Sequence, residues 1–159
     1  MGNIFSGSEI VELGIQIEKN GRDFYSGLSG KSQNSHAAGI FKYLAGEEEK
    51  HIVVFQKILA SVEKYEPAEA YPGEYFSYMN ALAVGYIFTQ KDKGKEIAAQ
   101  VASDVQAVEL GIGFEKDSII FYEGMKKAVP EYDLKIVDAL IAQEQNHFRQ
   151  LMDLQAKLK

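Results

Sequence analysis

The chain has 159 residues, 46% of them hydrophobic and 25% charged, with a net charge of −6 and a pI near 5.1; that is the balance of one globular domain spanning 1–159, not of a disordered chain. An acidic chain without a block of Lys and Arg does not live on phosphate contacts, which excludes the usual nucleic-acid binders. The absence of cysteine excludes disulfide scaffolds, thiol nucleophiles, thiolate zinc sites, iron–sulfur clusters and rubredoxin-type iron centres within this sequence, so any metal must sit among oxygen and nitrogen ligands.

The first residues, MGNIFSGSEIVE, lack the basic start and apolar run of a secretion signal. The most apolar stretch, Tyr78 to Phe88, is far short of the roughly 20 residues that span a bilayer. The expectation is a cytoplasmic protein with no membrane partner. A first helix is predicted over about Glu9–Leu28, opened by Ser6 and Glu9 as a capping box and stopped near Gly30. A second runs from about His36 to Tyr65, with Ile40, Phe41, Leu44, Ile52, Phe55, Leu59 and Val62 forming one stripe at three- and four-residue spacing. Pro67 and Pro72 then punctuate a long crossover, about Glu66–Ala102, holding short helices near Tyr75–Val84 and Lys95–Ala102. A third long helix is predicted over about Asp104–Ala128, capped by Ser103 and Gln106. A fourth starts near Pro130, with Val137, Leu140, Ile141, Phe148, Leu151, Leu154 and Leu158 as its stripe. Short links within each pair make two antiparallel hairpins, about 6–65 and 103–159, and the class is an all-α four-helix bundle.

The two hairpins are copies of each other. EIVELGIQIEKNGRDFY (Glu9–Tyr25) aligns with QAVELGIGFEKDSIIFY (Gln106–Tyr122), placing Glu18 on Glu115 and Tyr25 on Tyr122 at an offset of 97. LAGEEEKHI (Leu44–Ile52) aligns with LIAQEQNHF (Leu140–Phe148), placing Glu48 on Glu144 and His51 on His147 at an offset of 96. A hairpin of this size cannot bury its own apolar face, so the copies should pack about a pseudo-twofold axis.

Helix geometry then says what the matched residues do. Glu48 and His51 are one turn apart on one face, as are Glu144 and His147, and each pair lies inside its apolar stripe. Glu18 shares a stripe with Val11, Gly14, Gly21 and Tyr25, and Glu115 with Val108, Gly111, Ser118 and Tyr122. Four carboxylates and two imidazoles therefore point into one core. Burying such charges is costly unless cations sit among them. Two divalent ions would neutralise four carboxylates, the donor arrangement of ferritin-like di-iron and di-manganese proteins. His36, with no Glu at the matching spacing, reads as a surface residue; Glu47 and Glu49 are out of register with His51 and read as flanking. Tyr25 and Tyr122 read equally well as packing residues or as hydrogen-bond partners of a ligating carboxylate. Gly14, Gly21 and Gly111 fit either close helix approach or space beside the metals.

LAGEEEKHI resembles the second-helix motif of rubrerythrins, and IEKNGRDFY and FEKDSIIFY resemble their first and third helices. The resemblance covers nearly the whole chain. It implies a ferritin-like bundle holding two irons, with manganese or zinc as alternatives, in which Glu18 and Glu115 are terminal ligands, Glu48 and Glu144 bridge, and His51 and His147 each bind one metal. It also implies reduction of hydrogen peroxide, or dioxygen, with electrons from an external rubredoxin-like protein, in protection against oxidative stress. Separately, an acidic bundle with a long crossover is expected to form a homodimer, with or without exchanged hairpins. Two departures stand out. The cysteine-bearing domain of the longer relatives has no counterpart in these residues, and their additional Glu on the third helix is replaced by Ile112, mirrored by Ile15. Ferritin-like iron handling and a metal-stabilised bundle without redox activity are the competing expectations.

Overall fold

The computed structural model describes residues 6–65 and 73–159. It contains α1 (Gly7–Lys31), α2 (Ser35–Tyr65), α3 (Gly73–Gly85), α4 (Lys93–Gln100), α5 (Asp104–Met125) and α6 (Leu134–Leu158), with no strand among the described residues. The Pro67 and Pro72 punctuation lies outside those residues. Antiparallel pairing within each hairpin is visible in its cross-links: Ser29 Oγ donates to Ala38 O at 3.2 Å and Arg22 reaches Glu49 at 2.8 Å between α1 and α2. Lys126, just past α5, pairs with Asp138 of α6, and Lys116 Nζ on α5 sits 5.6 Å from the Phe148 ring on α6. The core runs through all four long helices, with Phe24, Phe41, Phe55, Phe121 and Leu44 fully buried. No helix among the described residues is long and apolar enough to cross a membrane.

The caps form with small variations. Ser6 Oγ accepts from Glu9 N at 3.3 Å and donates to Glu9 Oε1, while Gln106 Oε1 reaches back to Ala102 N at 2.7 Å as Ser103 Oγ accepts from Gln106 N. Two boundaries differ from the sequence expectation. Gly30 does not stop α1; it stays helical, and no glycine among the described residues adopts a positive φ. The last turn instead packs against α4, and Lys31 Nζ donates to Ala99 O and Val101 O at that helix's C-terminal end, where a cation is favoured. Pro130 does not open α6; it precedes a 3₁₀ turn over Glu131–Asp133, and α6 starts at Leu134. The third helix likewise ends at Met125 and tightens into a 3₁₀ turn over Lys126–Ala128.

The crossover is held to α1 by one buried amide. Asn20 Nδ2 donates to Phe88 O and Gln90 O, each at 2.6 Å, and Asn20 Oδ1 accepts from Gly94 N at 3.0 Å. Helix α4 approaches so closely that a Cβ on Gly94 would stand 1.9 Å from Asn20 O. Asn20→Ala leaves these backbone groups without their partner, at about 3 kcal/mol in all. The melting temperature should drop by roughly 6–12 °C, and an unchanged melt would show that apolar packing and the Lys31 contacts hold the crossover without this amide.

Candidate metal centre

All six matched residues converge at the middle of the bundle. Glu18 comes from α1, Glu48 and His51 from α2, Glu115 from α5, and Glu144 and His147 from α6, each 4% exposed or less. They form two groups whose donor atoms lie within 4.8 Å of one another: Glu18, Glu48, His51 and Glu144 in one, and Glu48, Glu115, Glu144 and His147 in the other. Glu48 and Glu144 belong to both. The imidazoles lie nearly parallel, with centroids 5.5 Å apart and planes 13° apart.

These atoms crowd around a common centre. His51 Nδ1 stands 2.7 Å from Glu144 Oε1 and 3.4 Å from Glu18 Oε2; His147 Nδ1 stands 3.0 Å from Glu48 Oε1 and 3.5 Å from Glu144 Oε2. Yet Glu18 Oε2, Glu48 Oε1, His51 Nδ1, Glu144 Oε1 and His147 Nδ1 are buried without an aligned hydrogen bond. Native interiors seldom leave one such atom orphaned; five around one point fit a pair of metal ions, with donors suited to divalent first-row metals.

The outward oxygens are held. Tyr122 Oη donates to Glu18 Oε1 and Tyr25 Oη to Glu115 Oε1, both at 2.6 Å. Each tyrosine thus packs in the core and also bonds a carboxylate of the opposite repeat. Burial and nearby carboxylate charge push both phenols well above their usual pKa, so they remain donors. Gly21 makes room for the cluster, because a Cβ there would stand 3.2 Å from Glu48 Oε2; Gly14 faces Met125 and Phe55 and serves helix packing.

Metal-free, the cluster balances its own charge. Burial opposes ionisation of Glu18 and Glu144, but their hydrogen-bonding neighbours hold both below the usual carboxylate range. Burial and the charges of Glu144 and Glu18 push Glu48 well above it, and burial with the charge of Glu144 pushes Glu115 up to about 8. Burial disfavours charged imidazoles, yet Glu18 and Glu144 push His51 up to about 12, and Glu115 and Glu144 push His147 up to about 11. Two protonated carboxyls, two carboxylates and two imidazoliums sum to zero, as two divalent ions with four carboxylates and two neutral imidazoles would.

His36 is exposed near the start of α2, Glu49 is exposed and paired with Arg22, and Glu47 is half-buried beside Lys50, as the sequence suggested. Sequence reasoning missed Gln143, whose Oε1 lies 2.5 Å from His51 Nε2, and Tyr86, whose hydroxyl sits 2.8 Å from Ser118 Oγ and donates to Phe114 O. The repeat offset carried the first signal, since Gln143 is the counterpart of Glu47.

A four-helix bundle with two Glu-x-x-His helices and a buried Glu on each of the other two is a ferritin-like carboxylate protein built for two metals. The chain belongs to the rubrerythrin family, whose model matches residues 9–155, and this membership supports a non-haem di-iron protein. Among solved structures it is similar to a protein from Thermotoga maritima described as ferritin-like and di-iron-carboxylate, at 24% identity and a TM-score of 0.70, with 100% of both chains covered. At that identity the likeness establishes the fold. No curated protein gives a significant match.

Proposed function

We propose that Glu18, Glu48, His51, Glu115, Glu144 and His147 hold two iron ions, and that the protein reduces hydrogen peroxide with electrons from an external, rubredoxin-like carrier. The observation behind the ligand set is the convergence of five orphaned buried donor atoms on one centre. Family membership supports iron as the metal. In this reading Glu48 and Glu144 bridge, and the other four residues bind one ion each. A reduced iron pair supplies the two electrons that a peroxide O–O bond accepts on cleavage.

The chain's own residues prepare that site. Tyr25 and Tyr122 fix Glu115 and Glu18 through their hydroxyls. Ile15 and Ile112, 9% and 8% exposed, place aliphatic groups one helical turn before Glu18 and Glu115 and help exclude water. Anaerobic loading with ferrous iron, followed by optical spectra after peroxide and then dioxygen, tests the proposal. Rapid oxidation by peroxide at two irons per chain is expected. Oxidation and storage of many irons per chain with dioxygen would assign iron handling instead, and an inert centre would leave the metals structural.

Ile112 adds a second expectation. It stands where the resembling peroxidases carry an additional Glu, so six protein ligands must serve both oxidation states. Ile112→Glu should raise peroxide turnover several-fold by offering the oxidised metals a further carboxylate. Stopped-flow measurement with both proteins at equal iron content checks this; equal or slower turnover in the variant would remove Ile112 as the limiting difference.

A further inference from the structure

The two histidines are equivalent in sequence but not in what holds their outer nitrogens. His51 turns Nδ1 toward the carboxylates and Nε2 outward, where Gln143 Oε1 lies at 2.5 Å. His147 turns Nδ1 inward in the same way. At the repeat offset of 96, the residue matching Gln143 is Glu47, one position before Glu48 as Gln143 is one before Glu144. Glu47 instead pairs with Lys50, Oε1 to Nζ at 3.3 Å. One repeat therefore offers an imidazole a neutral amide oxygen, and the other offers a carboxylate engaged elsewhere.

We propose that Gln143 is a positioning residue for His51 that makes the two metal positions unequal. Its Oε1 can only accept, so the His51 proton on Nε2 stays, and the proton on Nδ1 is the one given up when a metal binds there. The same bond fixes the ring plane before metal arrives, which removes part of the ordering cost of binding. Being neutral, Gln143 does this without drawing imidazolate character onto His51. The position built from Glu18, Glu48, His51 and Glu144 is thus prearranged and fills first. The position at His147 lacks this restraint and fills second.

This inference rests on the two-metal reading, and cobalt(II) separates the two. Titration of the metal-free protein with cobalt should show two binding steps, and the fully loaded protein should show two exchangeable, paramagnetically shifted imidazole N–H resonances, the one at His51 sharp and the one at His147 broader through exchange with water. Gln143→Leu should weaken the tighter step about 10–100-fold and leave the weaker one unchanged. It should also broaden the sharp N–H resonance through faster exchange with water. Gln143→Glu, which keeps an acceptor, should restore the protected resonance. Gln143 lies on the solvent side of α6, so a circular dichroism melt of the metal-free variant should match the parent, and a variant with a lowered metal-free melt is replaced by Gln143→Met for the same titration. Two cobalt ions bound with unchanged steps and both resonances intact in Gln143→Leu, or equal weakening of both steps, overturns the role of Gln143. Failure of the parent protein to take up two cobalt ions overturns the two-metal reading itself.

Discussion

Removing metal should reverse the pH dependence of stability. In the metal-free protein Glu48, Glu115, His51 and His147 all hold protons more tightly folded than unfolded, with Glu115 at about 8 and the histidines at about 11 and 12. Unfolded, these groups titrate near about 4.3 for Glu and 6.5 for His. Raised folded values stabilise fully below the unfolded pKa, and that contribution is lost as pH rises through the folded one. Each extra proton in the folded state costs on the order of 1 kcal/mol of stability per pH unit of rise. Glu18 and Glu144 have lowered values, so their contribution is lost only as pH falls below the normal carboxylate range. The metal-free protein should therefore be most stable near about pH 4, within the ordinary carboxylate range, and weaken steadily toward pH 8. Metal binding needs the same groups deprotonated, so the loaded protein gains as pH rises. Thermal melts from pH 5 to 8, with and without chelator, should diverge and differ most at pH 8. Parallel profiles would mean that the buried cluster neither holds these protons nor exchanges them for metal.

The same chemistry explains how much of the site was legible in sequence. Apolar periodicity located the helices because burial of a stripe is what stabilises them. The internal repeat pointed to the six residues that converge at the bundle's centre, because charged residues inside such stripes need partners. Gly30 was misread because glycine ends a helix only where the backbone turns left-handed, and contacts between α1 and α4 keep this one helical. Pro130 was misread because its fixed φ suits an extended residue ahead of a 3₁₀ turn as well as a helical first turn. Asn20 leaves no mark in the apolar pattern, and Gln143, on a polar face, is marked only by its repeat counterpart Glu47. Their partners lie 68 and 92 positions away, and only the folded chain brings them together. The crossed tyrosines illustrate the middle case. Their face was predictable, but which carboxylate each hydroxyl reaches depends on how the repeats pack.

Graded loss of metal should separate shared from unshared donors. Glu48 and Glu144 belong to both groups of donor atoms, whereas Glu18 and His51 serve one, and Glu115 and His147 the other. Glu48→Gln and Glu144→Gln should each reduce bound metal from about two ions per chain to nearly none, while Glu18→Gln and Glu115→Gln should each leave about one. His51→Ala and His147→Ala should likewise leave about one, and His36→Ala, far from the cluster, both. The two shared glutamates should part company once metal is gone. Glu144 faces both imidazoles, at 2.7 Å from His51 and 3.5 Å from His147, and supplies the negative charge between them. Glu144→Gln leaves two buried imidazoliums with one carboxylate fewer, so the metal-free melt should drop sharply. Glu48 faces His147 alone and already holds a proton, so Glu48→Gln replaces one neutral group by another and should leave the metal-free melt unchanged or higher. Metal analysis by mass spectrometry beside calorimetry of the chelated variants reads both effects. Equal stability losses for Glu48→Gln and Glu144→Gln would show that the repeats share charge evenly, and that the inequality in their histidine contacts has no energetic consequence.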